Sequence, residues 1–370
     1  MDNLHRIALL AGARPNYMKI YPLWREIHDR YADRLTPVII HTGQHYDPLM
    51  NDIFFHDLGM PKPDYFLGIG SGRHGEQTGR TMIALEELFL KDRPDLLVVV
   101  GDVNSTVAGT LVAVKMGIPV AHVEAGLRSG DRTMPEEINR LITDAIADLL
   151  FTPSRDADEN LLREGVAPGK IHFVGNVMID SLVRLLPEAE KSPVLQSLGV
   201  HLGAYVAVTL HRPSNVDNAT RLLGIMRSLE AVAAHQPVVL PLHPRTRKML
   251  EASSFRSIHP NLIVCDPMGY LDFLRLQSAS ALVITDSGGV QEETSYLGIP
   301  CLTLRPNTER PITITRGTNR LLNPDHEDLA QACLQAIRQR PQPARIEGWD
   351  GKAARRIIQL LVASYPSKST

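Results

Sequence analysis

Short apolar runs recur along the chain, and most of them are apolar without alternation. HRIALLA, TPVIIH, DLLVVVGD, IPVAHVE, DLLFT and KIHFVG lie in the first half, and AYVAVTLH, QPVVLPLH, NLIVCD, ALVITD and IPCLTL in the second. A strand with one wet face alternates, whereas a strand buried on both faces does not, so these runs predict parallel sheets covered by helices. Helix-period segments separate them. In PEEINRLITDAIADLL, Ile138, Leu141, Ile142, Ala145, Ile146 and Leu149 repeat at helical spacing. The tail WDGKAARRIIQLLVASY reads as a last helix. The expected fold is α/β, two doubly wound, Rossmann-like parallel-sheet domains. Strand pattern stops over Gly175 to Pro193, where Pro, Glu and Lys accumulate. The expected division is residues 1–176, residues 177–352, and a C-terminal helix and tail, 353–370, packing back on the first domain. Such sheets bind ligands beyond the carboxyl ends of their strands, and with two of them the expected site is the cleft that they face.

Composition narrows the class. The chain has 370 residues, 44% hydrophobic and 22% charged, with a formal net charge of -2 and no long Lys/Arg block. That gives nucleic-acid or membrane-surface binding no support. Cys265, Cys301 and Cys333 are scattered without a CxxC spacing, which fits a reducing compartment and no thiolate metal site. No apolar run is long enough to span a bilayer, and the N-terminal one lacks a cleavage pattern, so a soluble cytoplasmic protein is expected.

Six polar stretches fall where predicted strands end. In LLAGARPNYMK, Gly12 permits a tight turn, and Arg14 and Lys19 can hold a diphosphate at a helix N-terminus, or else are plain surface cations. In VVVGDVNST, Asp102 is either the N-cap of the next helix or a catalytic acid or base. HVEAGLRSGDRTMPEEINR gathers many charges at the end of one apolar strand. Pro135 suits the first position of a helix, and Glu136 and Glu137 suit its first turn. Glu136 and Arg140, four apart, can form an ordinary surface pair, which leaves Glu124 needing another partner. In VTLHRPSNVD and VLPLHPRT, His211 and His243 follow apolar strands, where each is structural or catalytic. In VITDSGGVQEETSYLG, small residues open a helix whose backbone N–H groups can approach a phosphate. Glu293, one turn in, can accept from ribose hydroxyls, and Arg310 of RPNTERP can balance phosphate charge.

Taken in order, GARPNYMK, GDVNST, HVEAGLRSGDRTMPEEINR, TLHRPSNVD, DSGGVQEET and RPNTERP resemble the non-hydrolysing UDP-N-acetylglucosamine 2-epimerases, over nearly the whole chain. The resemblance implies a glycosyltransferase-B-like fold, a cytoplasmic homodimer, and neither metal nor nicotinamide cofactor. It implies reversible conversion of UDP-N-acetylglucosamine to UDP-N-acetylmannosamine, supplying surface-polysaccharide synthesis. By the same resemblance Asp102, Glu124, Glu136 and His211 are the catalytic set, supported by Arg140. Arg14 and Lys19 match the basic pair of the first loop, and Ser287, Gly288 and Gly289 match the phosphate turn. Glu293 is the ribose carboxylate, Arg310 the late arginine and Phe273 the uracil-side aromatic, with His243 also on the substrate side. Bacterial members carry Gln-His-Arg-Glu in an early loop where a second UDP-N-acetylglucosamine activates. Here Gln44 and His45 remain as the possible regulatory pair, but Tyr46 and Asp47 stand in place of Arg-Glu. LGIGSGRHGEQTGR also resembles branches acting on a UDP-2,3-diacetamido-glucuronate. The competing readings are that substrate, a hydrolysing relative releasing UDP and N-acetylmannosamine, a glycosyltransferase of the same fold, and a non-catalytic UDP-sugar sensor.

Overall fold

The computed structural model describes residues 5–43, 59–253, 259–338 and 345–364. The chain divides into two compact units, Met1–Val183 with Glu347–Thr370, and Arg184–Ile346. Among the described residues, the first unit holds seven strands: β1 (His5–Ala11), β2 (Leu35–His41), β3 (Tyr65–Phe66), β4 (Leu96–Val100), β5 (Val120–Val123), β6 (Leu149–Thr152) and β7 (Ile171–Phe173). They lie in the order β3-β2-β1-β4-β5-β6-β7, all pairs parallel. The second holds six: β8 (Val206–Thr209), β9 (Val238–Pro241), β10 (Leu262–Cys265), β11 (Leu282–Thr285), β12 (Cys301–Thr303) and β13 (Asn319–Leu321). Their order is β10-β9-β8-β11-β12-β13, again parallel. Each sheet reverses direction once, at β1/β4 and at β8/β11, which defines a crevice at the carboxyl end of those strands.

The apolar runs of the sequence are the central strands. All five residues of β4, LLVVV, are buried, as are all four of β8's neighbour β11, LVIT. The two strands without a run in the sequence, β3 and β13, are edge strands of two and three residues. An edge strand buries little, so it leaves little hydrophobic signal. The helix Asn104–Lys115 crosses behind β1 with Gly109 at the contact. A Cβ there would sit 2.5 Å from Leu10 Cδ2, so the leucine side chain would have to shift to admit one.

Helix Pro135–Ile146 departs from the sequence pattern. Its apolar repeat forms the helix but is not its buried face. The buried residues are Glu137, Asn139, Arg140, Thr143 and Asp144, whereas Ile142 is 37% exposed. The helix ends at Ile146, and Leu149 opens β6. In the same unit, the helix Ala353–Ser364 packs along the helix Arg14–Arg30. Asp180 caps it, accepting from the backbone N–H of Ala353 (3.0 Å) and Ala354 (2.7 Å). Trp349 Nε1 donates to the Pro153 carbonyl at 3.1 Å. Among the described residues no helix is long and apolar enough to cross a membrane.

Candidate active site

In the first unit, the turns after β1, β4 and β5 converge. Gly12 closes the first turn, where a Cβ would meet Ser105 Oγ at 2.6 Å. The backbone of Arg14 opens the following helix, and its side chain lies outside the described residues, as do Gln44 and His45. Lys19, one turn further, forms an ion pair with Glu124, and both are buried. Glu124 has φ 70°, the only positive φ at a non-glycine among the described residues. That backbone costs about 1–3 kcal/mol and persists only where its surroundings over-determine it, which is common at active sites. Beside it, Gly101 has φ +66°, and a Cβ there would stand 2.7 Å from Lys19 Nζ and 3.5 Å from Glu124 Oε2. Glycine therefore lets the buried ion pair rest against the turn that carries Asp102.

Asp102 is not a helix N-cap. The cap residue is Val103, without a side-chain cap, and the Asp102 carboxylate instead accepts from Arg140 Nη1. Arg140 does not pair with Glu136. Its guanidinium is 2% exposed, and Nε and Nη2 donate to Glu137 Oε2 at 3.1 and 2.6 Å. Glu137 in turn accepts from the Ser129 backbone (3.0 Å) and hydroxyl (3.1 Å) and from the Gly130 backbone (2.9 Å). Burial would raise the Glu137 carboxyl, but the Ser129 and Gly130 donors and Arg140 outweigh it and hold it below its ordinary value. Glu137, read from spacing as half of a solvated helix start, is thus the anchor of the loop and of Arg140. Glu136, one residue earlier, is half-buried and makes no hydrogen bond or ion pair with a described residue, so its carboxylate is available. Beneath these groups His122 of β5 is fully buried between Asp144 and the Gly101 carbonyl.

In the second unit the same strand-end rule holds. His211 follows β8, and its Nδ1 lies 3.0 Å from Asp286 Oδ1. Asp286, fully buried after β11, also accepts from the His211 and Arg212 backbones (3.1 and 3.0 Å) and from Asn215 Nδ2 (3.2 Å). Burial would raise this carboxyl, but the His211 bond and charge and the other donors hold it below its ordinary value. The carboxylate orients the imidazole by Nδ1 and leaves Nε2 outward, the arrangement of an acid/base histidine. His243 is exposed, caps the helix Pro244–Glu251 through Arg245 N–H (3.2 Å), and stands 5.8 Å from the His211 ring, centroid to centroid.

Ser287 precedes the helix Gly288–Leu297, whose first two residues are Gly288 and Gly289. A Cβ on Gly288 would meet Arg310 Nη1 at 2.5 Å, so the turn admits the guanidinium against its backbone. Arg310 is buried and bound to Glu292 (2.8 Å) and to Glu309, and Glu309 is bound to Arg305 (2.8 Å). Glu293 accepts from Tyr270 Oη (2.7 Å) and Gln277 Nε2 (2.5 Å). Burial raises its carboxyl above the ordinary value, and these two neutral donors offset that only in part. Each oxygen keeps a lone pair for a further donor. Phe273 is half-buried against the cluster of Val200, Tyr205, Leu276 and Val290.

Spacing did not disclose the partners of these residues. His122, Asp144 and Asp286 sit inside apolar or helical patterns, and only folding shows that they face polar groups. Among the described residues no cluster of His, Cys, Asp and Glu has the makeup of a metal site.

Paired doubly wound sheets with polar residues at their strand ends define the glycosyltransferase-B-like class. The glycotransferase of kitacinnamycin, 14% identical with a TM-score of 0.59 over 98% of this chain and all of that one, shares the fold alone. The family model described as UDP-N-acetylglucosamine 2-epimerase matches residues 28–362. The UDP-N-acetylglucosamine 2-epimerase of Methanocaldococcus jannaschii is 43% identical over 96% of this chain and 98% of its own length. Its crystal structure in complex with UDP-GlcNAc and UDP has a TM-score of 0.87, covering 97% and 99% of the two chains at 42% identity. The UDP-2,3-diacetamido-2,3-dideoxy-D-glucuronate 2-epimerase of Pseudomonas aeruginosa is 40% identical, over 96% and 99% of the two chains. The chain belongs to the UDP-N-acetylglucosamine 2-epimerase family, and it is an isomerase, a UDP-sugar 2-epimerase.

Proposed function

We propose that the chain interconverts UDP-N-acetylglucosamine and UDP-N-acetylmannosamine without hydrolysis. The C2 proton of the sugar is not acidic, so the route is elimination. A carboxylate takes the C2 proton, the C1–O bond breaks, its electron pair leaves with UDP, and a C1=C2 bond forms. The proton is then added to the opposite face of C2, and the UDP oxygen bonds C1 again. Two acid/base groups serve the two faces, and nearby carboxylates stabilise the cationic character at C1. Asp102, Glu124 and Glu136 take these sugar-side roles, with Arg140 holding Asp102. His211, Arg310, Lys19 and Arg14 receive charge on the diphosphate, helped by Ser287, Gly288, Gly289 and His243. Glu293 takes the ribose and Phe273 the uracil side. The observation that carries the reading is Glu124, strained at φ 70°, buried and paired with Lys19, one strand from the Asp102–Arg140 pair. A buried, strained carboxylate is costly for the fold and marks a site.

Proton NMR with UDP-N-acetylglucosamine in D₂O tests it. UDP-N-acetylmannosamine carrying deuterium at C2 is expected, and free UDP with free N-acetylmannosamine would instead make the chain a hydrolase. Glu124→Gln keeps the shape, removes the base, and is expected to abolish turnover with UDP affinity retained. Unchanged turnover would remove Glu124 from its role. A second substrate is favoured by the Pseudomonas aeruginosa relative, so the same measurement with UDP-2,3-diacetamido-2,3-dideoxy-D-glucuronate decides between the two.

A further inference from the structure

His122 and Asp144 take no part in the chemistry proposed above. Both are buried. His122 Nε2 lies 2.8 Å from the Gly101 carbonyl, and Nδ1 lies 2.6 Å from Asp144 Oδ1. The other oxygen of Asp144 accepts from the Gly126 backbone N–H at 3.0 Å and from Arg128 Nη1 at 2.7 Å. Arg128 is itself held by Glu164. A carbonyl is only an acceptor, and a carboxylate that takes donors from Gly126 and Arg128 is ionised. Both ring nitrogens of His122 therefore face acceptors, and the ring is held at both ends. The charged group facing the ring is Asp144 from the helix Pro135–Ile146, with Arg128 behind it, and β4 presents the uncharged Gly101 carbonyl.

We propose that this buried imidazole–carboxylate pair is the positioning brace that fixes Asp102 and Glu124 relative to one another. One end holds the peptide that joins Gly101 to Asp102. The other end holds the N–H of Gly126, two residues after Glu124 in the turn whose strain was described above. The two turns follow neighbouring strands β4 and β5, whose ladder ends at Val100 and Val123 with one last backbone bond from Gly101 N–H to the Val123 carbonyl (3.1 Å), so strand pairing does not reach Asp102 and Glu124 themselves. The brace spans that gap from beneath, with directional, charge-assisted bonds in a buried setting, where they are strongest. Lys19, which lies against Gly101 and pairs with Glu124, closes the gap from the other side.

The inference rests on the proposed roles of Asp102 and Glu124. Its test is His122→Asn and Asp144→Asn, with Glu124→Gln measured in parallel. Asparagine at 122 cannot reach both acceptors, and asparagine at 144 keeps the shape but removes the charge. The expected result in each is a fall of about 100-fold in kcat and in C2 deuterium exchange, since a misplacement of about 1 Å costs that much. KM and UDP affinity are expected to stay within about 3-fold, since the residues proposed for UDP are mostly in the second unit; this margin is on the scale of a fraction of a tenfold step in affinity. Nitrogen NMR of histidine-labelled protein is expected to show one imidazole with both ring nitrogens in hydrogen bonds, its signal lost in His122→Asn. Unchanged kcat in a folded His122→Asn or Asp144→Asn, or the absence of such an imidazole, overturns the brace. If Glu124→Gln also retains turnover, the fault lies in the proposed roles; if Glu124→Gln is inactive and the brace variants are active, only the brace fails. Where His122→Asn does not fold, Asp144→Asn and the wild-type nitrogen spectrum decide.

Discussion

At the scale of single residues, this enzyme places buried charge against backbone that only certain residues can form. Lys19 and Glu124 pair in the interior, and Gly101 makes room for them at φ +66°. An alanine at 101 would enter a conformation costing about 1–2 kcal/mol for a residue with a Cβ, and its methyl would meet Lys19 Nζ. Gly101→Ala is therefore expected to lower kcat by about 100-fold through displacement of Lys19 and Asp102. UDP affinity by calorimetry should fall by less than kcat does, because Lys19 is one of several groups proposed for the diphosphate, and a variant with wild-type kcat would show that the ion pair tolerates movement. The glycine and the two charges were legible in the sequence. Their contact was not, because Lys19, Gly101 and Glu124 come from three turns far apart along the chain.

At the scale of elements, the helix Pro135–Ile146 shows what periodicity reads and what it misses. Apolar spacing identified the helix, but the face turned inward carries Glu137, Asn139, Arg140, Thr143 and Asp144. Such a face is stable only if its polar groups are paired, and Glu137 is the hub of that pairing. Glu137→Ala leaves the Arg140 guanidinium with one carboxylate and the Ser129 and Gly130 N–H groups without acceptors, at an expected cost of about 3 kcal/mol in urea unfolding. Glu136→Ala, whose carboxylate has no partner among the described residues, should change stability by about 0.5 kcal/mol or less while lowering turnover. The helix Ala353–Ser364 supplies a second case. Its cap, Asp180, is pushed up to about 6, first by burial, against the two backbone N–H groups and Arg356, which favour the ionised form. The folded value lies above that of an ordinary aspartate, so the folded state binds the proton more tightly than the unfolded one. The stabilisation is complete below about pH 4 and is lost as pH rises through about 6, at most about 3 kcal/mol. Thermal melts of wild type and Asp180→Asn should show the wild type losing ground to the variant across that window. A constant difference would mean that Asp180 does not titrate there.

At the scale of the molecule, the residues proposed to act on the sugar lie in the first unit, and most of those proposed for UDP lie in the second. Substitution in the first should therefore lower kcat, and substitution of Arg310 or Glu293 should weaken UDP binding. The homodimer implied by the family resemblance predicts twice the 41.0 kDa chain mass in sedimentation equilibrium, and a monomer would contradict it. The sequence by itself determined the two parallel sheets, because strands buried on both faces must be apolar throughout. It also determined where the polar residues gather, because an open parallel sheet exposes its strand ends at one rim. Tertiary structure alone decided the pairings. It made Glu137 rather than Glu136 the partner of Arg140, and turned Asp102 from a possible cap into an ion-paired carboxylate. It set Asp286 behind His211, and enclosed His122 between two acceptors. These outcomes depend on contacts across strands and helices remote in sequence, where desolvation forces each buried polar group to find a partner, and spacing along the chain carries no record of which one it finds.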